Sequence, residues 1–458
     1  MFFFFFFFLQ LLICPSDSVK FTTQHQIPPL PKRDLKLQQR FQLSSSDFVA
    51  LKSIKTALHD LAGSDFFSTW DFSNAASNNP CSTFTGVSCS VLSSDGSGTG
   101  PTELRVTSLA LGTGLADSLG LAGGFPMGMM NLTRLTQLVL FAGRVSGEIP
   151  RNIGDVLTSL RFISITNNLI SGSIPNSLSK LSELHTLDLG HNRLSGRIPP
   201  GLCSLPNLKV LILASNGYLY GQVPNMVSPL LHIDLRGNSL TGELPTFPTT
   251  IRYISASSNY LSGKLDNVSE LPNLAFLDLA MNAFVGTIPP SLFSPSIPLL
   301  LLHRNYLSGE LPSTPSPVRP APSPESDAAE DLSGGWTVDL SYNQLTGRVT
   351  PVLAEAESVY LNNNKFVGVV PSEYSRNVFD GKMKTFYAQH NFITGFDYPL
   401  SPGSTTLPNS VTVCLAYNCM TLPPIIPTVC PTNTGEPISR PKIQCSVYEA
   451  DRLTGRRT

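Results

Sequence analysis

The apolar positions of this chain recur in one pattern over most of its length. Two apolar residues stand one residue apart, and an asparagine follows three residues after the second. This spacing holds at Asn168, Asn192, Asn216, Asn238, Asn259, Asn282, Asn305, Asn343, Asn364 and Asn391. The intervals are 24, 24, 22, 21, 23, 23, 38, 21 and 27 residues, which predicts one short structural unit repeated many times, with one insertion.

An earlier unit has Gly143 in the asparagine position, and a ragged unit begins near Val106. The consensus is Leu-x-x-Leu-x-Leu-x-x-Asn-x-Leu-x-Gly-x-Ile-Pro, as at 184–199. The alternation around its central leucines predicts a short strand, and stacked coils would pair these strands into a parallel sheet. Because an asparagine amide both donates and accepts, we expect it to satisfy buried backbone groups at the turn. This unit is a leucine-rich repeat.

Two further motifs carry a resemblance to a plant family. The unit tails read Ser-Gly-x-Ile-Pro, as at 146–150 and 195–199, and the segments 47–55, 70–72 and 80–89 precede the repeats. These features resemble plant extracellular leucine-rich repeat proteins of the kinase-lacking receptor-like type, related to receptor kinase ectodomains and polygalacturonase-inhibiting proteins. The resemblance implies an α/β solenoid, a plant-type leucine-rich repeat superhelix with a parallel β-sheet on its concave face. It also implies a helical N-terminal cap and a disulfide-rich C-terminal cap.

The N-terminal cap also follows from the apolar pattern. Phe48, Leu51, Ile54, Leu58 and Leu61 recur at helical spacing and predict an amphipathic helix that covers the open end of the first coil.

The domain prediction divides the chain into eight segments. They are a signal peptide at 1–18, a disordered arm at 19–42, an N-terminal cap at 43–92, repeats at 104–312, a Pro-rich acidic insertion at 313–335, repeats at 336–397, a Cys-rich C-terminal cap at 398–447 and a polar tail at 448–458. The apolar run at 2–13 is too short to span a bilayer and has the length of a signal-peptide core. We interpret the insertion as a tolerated spacer or as a docking or glycosylated element.

Cysteine usage indicates an oxidising compartment. Two clusters flank the repeats: Cys81 with Cys89, and Cys414, Cys419, Cys430 and Cys445. The first two are close enough in sequence to form a disulfide, and the other four allow three connectivities. Nesting favours Cys414–Cys445 with Cys419–Cys430. Cys203, among leucines, is expected to be a buried thiol rather than a reactive or intermolecular one.

Several functional classes receive no support from the sequence. The net charge is −1, which gives no basic excess for nucleic acid. No kinase signature, phosphate loop, metal-ligand spacing or nucleophile with its base is present, so we expect no enzyme activity, no metal and no cofactor. No second apolar stretch has membrane-spanning length. Asn131 and Asn267 begin acceptor sequons for N-glycans, which become usable if the chain is secreted.

The outward positions of the predicted sheet supply the candidate ligand-binding residues. They are Asp234, Arg236, Asp278, His303, Arg304, Tyr342, Tyr360, Asn362, Tyr387 and Gln389. The aspartates stand roughly 10 Å apart on alternate coils, and a soluble strand role is favoured over hydrolase chemistry. The cations either receive an anionic ligand or balance the neighbouring aspartates. Tyrosines beside amides are typical of adaptable recognition surfaces, although tyrosine is also a good strand former.

These observations predict a secreted, non-enzymatic recognition protein. Its concave face would bind a peptide, protein or cell-wall polysaccharide in the apoplast, in receptor-like signalling or defence, with a possible membrane co-receptor kinase. The resemblance also implies an alternative, inhibition of cell-wall-degrading enzymes. A third hypothesis is a structural cell-wall protein whose insertion and basic arm form cross-links.

Overall fold

The computed structural model describes residues 42–73, 79–92, 103–115, 118–314, 335–397, 407–421, 430 and 439–446. The predicted signal peptide, the arm up to residue 41, most of the insertion and the polar tail lie outside these residues. The described residues fall into two compact units, the first reaching Tyr220 and also holding Met226–Leu230, the second holding Gly221–Asn225 and the chain from Leu231 onward.

The first unit begins with the predicted amphipathic helix. The helices of this unit are α1 (Ser45–Ala57), α2 (Pro80–Thr83) and α3 (Ile153–Val156), with 3₁₀ helices at Phe66–Thr69, Met127–Asn131, Asn176–Lys180 and Pro200–Ser204. Leu51 and Ile54 of the predicted apolar stripe are fully buried in α1. The helix ends earlier than predicted, because Leu58 begins the strand Leu58–Asp60 and Leu61 follows that strand.

A buried ion pair joins the cap to the first repeat. The carboxylate of Asp47 in α1 is fully buried, and Arg105 donates to it at 2.9 and 3.1 Å. The backbone N–H of Val106 donates to the same carboxylate at 2.8 Å. Because these donors compensate the buried charge, the pair holds α1 in one position on the first coil.

The strands of the first unit form two sheets. The first sheet contains β2 (Val87–Leu92), β3 (Glu103–Leu111), β5 (Gln137–Leu140), β7 (Phe162–Ile165), β9 (Thr186–Asp188) and β11 (Val210–Ile212), in that order. The second sheet contains β1 (Leu58–Asp60), β4 (Leu121–Gly124), β6 (Arg144–Glu148), β8 (Leu169–Ser173), β10 (Arg193–Gly196) and β12 (Tyr218–Gln222). The β1–β4 and β2–β3 pairs are antiparallel, whereas β5–β7 and β8–β10 are parallel.

The second unit repeats the same two-sheet plan. Its first sheet contains β13 (His232–Asp234), β15 (Tyr253–Ser255), β17 (Phe276–Asp278), β19 (Leu299–Leu301), β21 (Thr337–Asp339), β23 (Ser358–Tyr360), β25 (Thr385–Tyr387) and β27 (Thr412–Cys414). Its second sheet contains β14 (Ser239–Gly242), β16 (Tyr260–Gly263), β18 (Ala283–Gly286), β20 (Tyr306–Glu310) and β22 (Gln344–Thr346), while β24 (Val367–Val370) pairs with β26 (Phe392–Phe396). The helices include α4 (Asp266–Ser269) and α5 (Ser372–Phe379), with 3₁₀ helices at Pro290–Leu292 and Pro351–Leu353, and residues 442–446 are also helical.

The second sheet was not among the sequence expectations. It is formed by the Ser-Gly tails of the units, whose glycines have positive φ, as at Gly196 (φ 86°) and Gly263 (φ 85°). Glycine is depleted in strands, so local propensity does not predict this sheet. Hydrogen bonding to the tails of neighbouring coils stabilises it instead.

The asparagine of each coil has the predicted role. In Asn192, Oδ1 accepts from the backbone N–H of Ile170 at 3.1 Å, and Nδ2 donates to the carbonyls of Ile165 and Leu189 at 2.7 and 3.2 Å. One side chain therefore satisfies backbone groups of its own coil and of the preceding one. Gly143 replaces it where a Cβ would lie 2.5 Å from the carbonyl oxygen of Leu121.

The asparagine series continues one coil further than the sequence analysis found. Asn418 Oδ1 accepts from the N–H of Ile393 at 3.1 Å, and its Nδ2 donates to Ala388 at 2.9 Å and Leu415 at 3.0 Å. The signal was present, because Val413 and Leu415 precede Asn418 at the consensus spacing. The cysteines within this coil led us to assign it to the cap.

The disulfides confirm the front pair and correct the rear one. The bonds are Cys81–Cys89, Cys414–Cys430 and Cys419–Cys445. The nested connectivity of the four C-terminal cysteines is therefore wrong.

Arg440 explains the pairing of Cys419 with Cys445. Its backbone N–H donates to the carbonyl of Asn418 at 2.8 Å, and its guanidinium lies over the ring of Tyr417 at 4.5 Å. These contacts hold the segment that carries Cys445 against the turn that carries Cys419. The nested pairing was chosen from sequence separation alone, so it did not take the contacts of Arg440 into account.

Candidate ligand-binding face

All ten predicted ligand-binding residues lie in the second unit. On its first sheet, side chains alternate between the core and the opposite side, and Ile233, Ile254 and Leu277 occupy the core. We call the opposite side of β13, β15, β17, β19, β21, β23 and β25, with the residue two positions after each strand, the sheet face.

Three aspartates of the sheet face share a structural role. Asp234, Asp278 and Asp339 end β13, β17 and β21. In each, Oδ1 accepts from the backbone N–H two residues later, at 3.1, 3.2 and 2.9 Å respectively. One carboxylate oxygen therefore stabilises the turn after the strand. Asp234 and Asp278 are buried, at 1% and 9% exposure, so they are not the solvated strand residues that the sequence analysis favoured.

The second oxygens of two aspartates belong to a buried polar cluster. Asp234 Oδ2 lies 3.4 Å from Arg236 Nε, and Asp278 Oδ2 accepts from the hydroxyls of Ser257 at 2.6 Å and Ser255 at 3.4 Å. Burial raises the pKa of Asp234 to about 6, although Arg236 opposes this shift and Asp278 adds to it. Asp234 therefore ionises incompletely in weak acid.

A stack of rings lies beside this cluster, and the sequence analysis missed it. The rings of His232, Tyr253 and Phe276 stack with centroids 4.0 and 3.9 Å apart. Burial and the charge of Arg236 lower the pKa of His232 to about 3, so its imidazole is neutral. Its Nε2 has no hydrogen-bond partner in the described part of the chain. The sequence did contain a signal for this stack, because three successive units have a planar side chain at the same position.

The remaining charged candidates separate into two places. His303 Nδ1 lies 3.2 Å from Asp339 Oδ2, within ion-pair distance but without hydrogen-bond alignment. Arg304 and Tyr342 lie beyond their strands, on turns where φ is 55° and 53°. The left-handed turn directs both to the edge, and the guanidinium of Arg304 lies 4.5 Å from the ring centroid of Tyr342.

The C-terminal coils bring the predicted tyrosines and amides together. Tyr360 and Tyr387 pack edge to face with centroids 5.3 Å apart, and burial raises the pKa of Tyr387. Asn362 and Gln389 follow them on the face and are buried, at 7% and 2% exposure. Gln389 Oε1 has no hydrogen-bond partner among the described residues. This end of the face offers half-buried rings beside an unused acceptor.

The other predicted sites take ordinary positions. Asn131 and Asn267 are exposed, and Asn267 Nδ2 donates to the carbonyl of Leu244 at 2.7 Å. Cys203 is a buried free thiol, and burial raises its pKa to about 12. Within the described ranges no group of three potential metal ligands occurs. The same residues contain no helix long and apolar enough to cross a membrane.

Comparison with known proteins gives matches over both the cap and the repeats. Residues 44–90 match the family described as "Leucine rich repeat N-terminal domain", and residues 159–181 and 183–205 match "Leucine Rich Repeat". The chain contains a leucine-rich repeat N-terminal domain and leucine-rich repeats. It is similar to plant receptor-like proteins and receptor kinase ectodomains, as the sequence motifs predicted.

One curated relative is Receptor-like protein 54 of Arabidopsis thaliana, 36% identical over 88 residues, which are 19% of this chain and 11% of that protein. Among solved structures, the ectodomain of the receptor kinase GASSHO1/SCHENGEN3 from Arabidopsis thaliana, in complex with CASPARIAN STRIP INTEGRITY FACTOR 2, has a TM-score of 0.60 and 25% identity. That match covers 82% of this chain and 44% of the ectodomain chain. The chain thus spans less than half the length of these relatives.

A plant ice-binding protein is also similar in structure. Its TM-score is 0.51 at 25% identity, and the match covers 79% of this chain and 99% of the ice-binding chain. These matches confirm the leucine-rich repeat fold.

Proposed function

We propose that this leucine-rich repeat protein is a secreted, non-enzymatic recognition protein that binds an extended peptide or protein segment along the sheet face of its second unit. It would act in the apoplast, in receptor-like signalling or defence, and a membrane co-receptor kinase is a candidate partner. The observation that carries this proposal is the Tyr360–Tyr387 pair beside Gln389.

The chemistry of that pair fits recognition. Tyrosine supplies a large contact area with few rotatable bonds, so ordering it on binding costs little conformational entropy. The unpaired Oε1 of Gln389 can accept from a ligand N–H group, which removes the cost of a buried acceptor without a partner. The similar ectodomain of GASSHO1/SCHENGEN3 was solved in complex with CASPARIAN STRIP INTEGRITY FACTOR 2, and this similarity supports a ligand-binding role for the sheet face.

Ice binding, which the similar plant protein's title states for that protein, has less support. Binding to a crystal surface requires a flat and regular array of side chains. The second sheet of the second unit carries exposed Tyr260 and Tyr306 among small residues such as Ser262 and Ala283. These bulky rings interrupt a flat surface.

The experiment is capture of ligands by the secreted, glycosylated protein. The immobilised parent and the Tyr360→Ala/Tyr387→Ala variant are exposed to apoplastic proteins, peptides and wall oligosaccharides. The Tyr260→Ala/Tyr306→Ala variant is the matched control, because it removes two exposed tyrosines of the same unit from the other sheet.

Capture of a peptide or receptor by the parent and the control, but not by the sheet-face variant, is the expected result. Capture of a pectinase instead would identify an inhibitor. Equal recovery of wall polymer alone by all three forms would favour the structural hypothesis and contradict the proposal.

A further inference from the structure

A disulfide lies at the C-terminal end of the sheet face. Cys414 ends β27, and the strand register pairs it with Tyr387 of β25. Val413, the residue before it, belongs to the core at 1% exposure, so alternation along the strand directs Cys414 to the side that Tyr387 faces. The Cα atom of its partner Cys430 lies 5.3 Å from that of Cys414. The Cys414–Cys430 bridge therefore stands one strand beyond Tyr387 on the same side of the sheet.

The bridge changes the surface that a ligand would meet. Tyr360 and Tyr387 occupy the equivalent positions of β23 and β25 and are half-buried, so part of each ring is open to a ligand. Cys414 is fully buried, whereas its partner Cys430 is half-buried. At β27 a ligand therefore meets the bridge and Cys430 rather than the strand. Within the described residues, β27 is the last strand of this sheet.

Gln389 gives this end of the face a group that a ligand can bind. It lies two positions after β25, its side chain is 2% exposed, and its Oε1 has no hydrogen-bond partner in the described part of the chain. A buried acceptor without a partner costs free energy, which a ligand N–H group that reaches it would recover. The rings of Tyr360 and Tyr387 lie on the same side and supply contact area. A ligand held by these three residues lies beside the bridge.

We infer that the Cys414–Cys430 bridge bounds the ligand site, so that the peptide residue bound beside Tyr387 and Gln389 is a chain terminus. A peptide that runs across the strands meets a new strand about every 4.8 Å, so it reaches the bridge one strand after Tyr387. Because β27 is hydrogen-bonded to β25, the bridge has a fixed place there. A terminus ends at the bridge, whereas an internal segment would have to displace the bridge or leave the sheet. The inference rests on the proposed function and adds which part of the peptide this end of the face holds.

The other rear bridge lies elsewhere and supplies a matched control. Cys419 follows the Asn418 turn, and its backbone N–H donates to the carbonyl of Ile393 in β26 at 2.9 Å. The Cys419–Cys445 bridge therefore belongs to the tail of the coil rather than to the sheet face. Removing either bridge removes one disulfide from the same cap, but of these two only Cys414–Cys430 stands beside the tyrosines.

The test is calorimetry with synthetic copies of an apoplastic peptide that the parent captures. One copy is unmodified, one carries four added Gly and Ser residues at its amino end, and one carries them at its carboxyl end. Extension at one end is expected to lower the affinity for the parent at least about tenfold, because the added residues meet the bridge. Extension at the other end should change the affinity less than about twofold, and the comparison identifies which terminus the site holds.

Variants assign the effect to the bridge. In Cys414→Ser/Cys430→Ser the boundary is no longer fixed, so the extended copy should bind within about threefold of the unmodified copy. Cys419→Ser/Cys445→Ser should keep the loss of affinity that the parent shows. Each comparison is a ratio of two affinities for one form of the protein, so a general loss of stability in the cap does not produce the expected pattern. Circular dichroism at the temperature of the titration checks that all three forms are folded.

Two outcomes overturn the inference. In the first, neither extension lowers the affinity for the parent, and in the second, the loss is as large in Cys414→Ser/Cys430→Ser as in the parent. A captured protein that binds through an internal segment and depends on Tyr360 and Tyr387 also overturns the inference, but it leaves the proposed function standing. The proposed function fails separately, if the captured peptide binds equally to the Tyr360→Ala/Tyr387→Ala variant.

Discussion

At the scale of single residues, the asparagine of each coil satisfies several buried backbone groups with one side chain. Asn259 Nδ2 donates to the carbonyls of Leu235 at 3.0 Å and Ala256 at 3.1 Å, and its Oδ1 accepts from Leu240 at 3.0 Å. All of these groups are buried. The amide therefore links its own coil to the preceding one, because it has both donors and an acceptor.

Asn259→Ala is expected to lower the free energy of unfolding by about 2–4 kcal/mol, because buried carbonyls and an N–H lose their partners. Asn273→Ala is the control, since the Asn273 amide makes one exposed bond to Thr249 at 2.8 Å. The Asn273→Ala substitution should lower the free energy of unfolding by less than about 1 kcal/mol. Urea denaturation of both variants measures the difference, and equal losses would contradict the role of the buried amide.

Asp234 gives the sheet face a pH dependence. Its pKa is about 6 in the folded protein because burial disfavours the carboxylate, while an unfolded aspartate has a pKa of about 3.9. The folded state therefore holds the proton more tightly. The resulting stability is fully present below about pH 4 and is lost as the pH rises through about 6.

The Asp234→Asn variant lacks this titration but keeps the acceptor for the backbone N–H of Arg236. Relative to the parent, we expect it to gain roughly 3 kcal/mol in unfolding free energy between pH 4 and pH 7. Chemical denaturation at pH 4, 5, 6 and 7 gives the two profiles. Parallel profiles would show that Asp234 ionises as freely in the folded protein as in the unfolded one.

At the scale of elements, the two caps depend on covalent bonds more than the coils do. The front bridge, Cys81–Cys89, joins α2 to β2, and the rear bridges join the last coil to the segments that hold Cys430 and Cys445. Terminal coils pack against a neighbouring coil on one side only. Removing a disulfide therefore destabilises a terminal coil more than it would destabilise an internal one.

Reduction is therefore expected to lower the melting temperature sharply, since bridges in secreted domains are worth about 2–5 kcal/mol each. Calorimetry with and without a reductant measures the shift, and an unchanged melting temperature would refute the role of the bridges. Cys203 supplies an internal control, because its buried thiol should resist alkylation in the folded, unreduced protein.

The elements also show what the sequence could predict. The strands of the first sheet, α1 and the asparagine turns followed from periodicity, because each repeats a local pattern that the core requires. The second sheet and the Cys419–Cys445 bond did not, because they depend on hydrogen bonds between coils and on the anchoring of Arg440. Local residue preferences predict neither of these contacts, because both join residues that are distant in the sequence.

At the scale of the whole molecule, the repeats of each unit form a sheet, and the proposed function depends on the side chains that the sheet of the second unit presents. The sequence placed Asp234, Tyr360 and Gln389 in the right columns, since the period of two fixes which side chains face outward. It placed Tyr342 on the same face, whereas the left-handed turn directs that ring to the edge. It also missed the stack of His232, Tyr253 and Phe276, which depends on the register of three strands.

The central claim is that ligand recognition uses the sheet face of the second unit rather than another exposed surface. Its most direct test is calorimetric titration of the captured ligand into the parent and into the two tyrosine variants. Tyr360→Ala/Tyr387→Ala is expected to cost about 2 kcal/mol of binding free energy, roughly thirtyfold in affinity, with Tyr260→Ala/Tyr306→Ala within about twofold of the parent. The reverse order, with the second-sheet variant impaired and the sheet-face variant intact, would contradict the account.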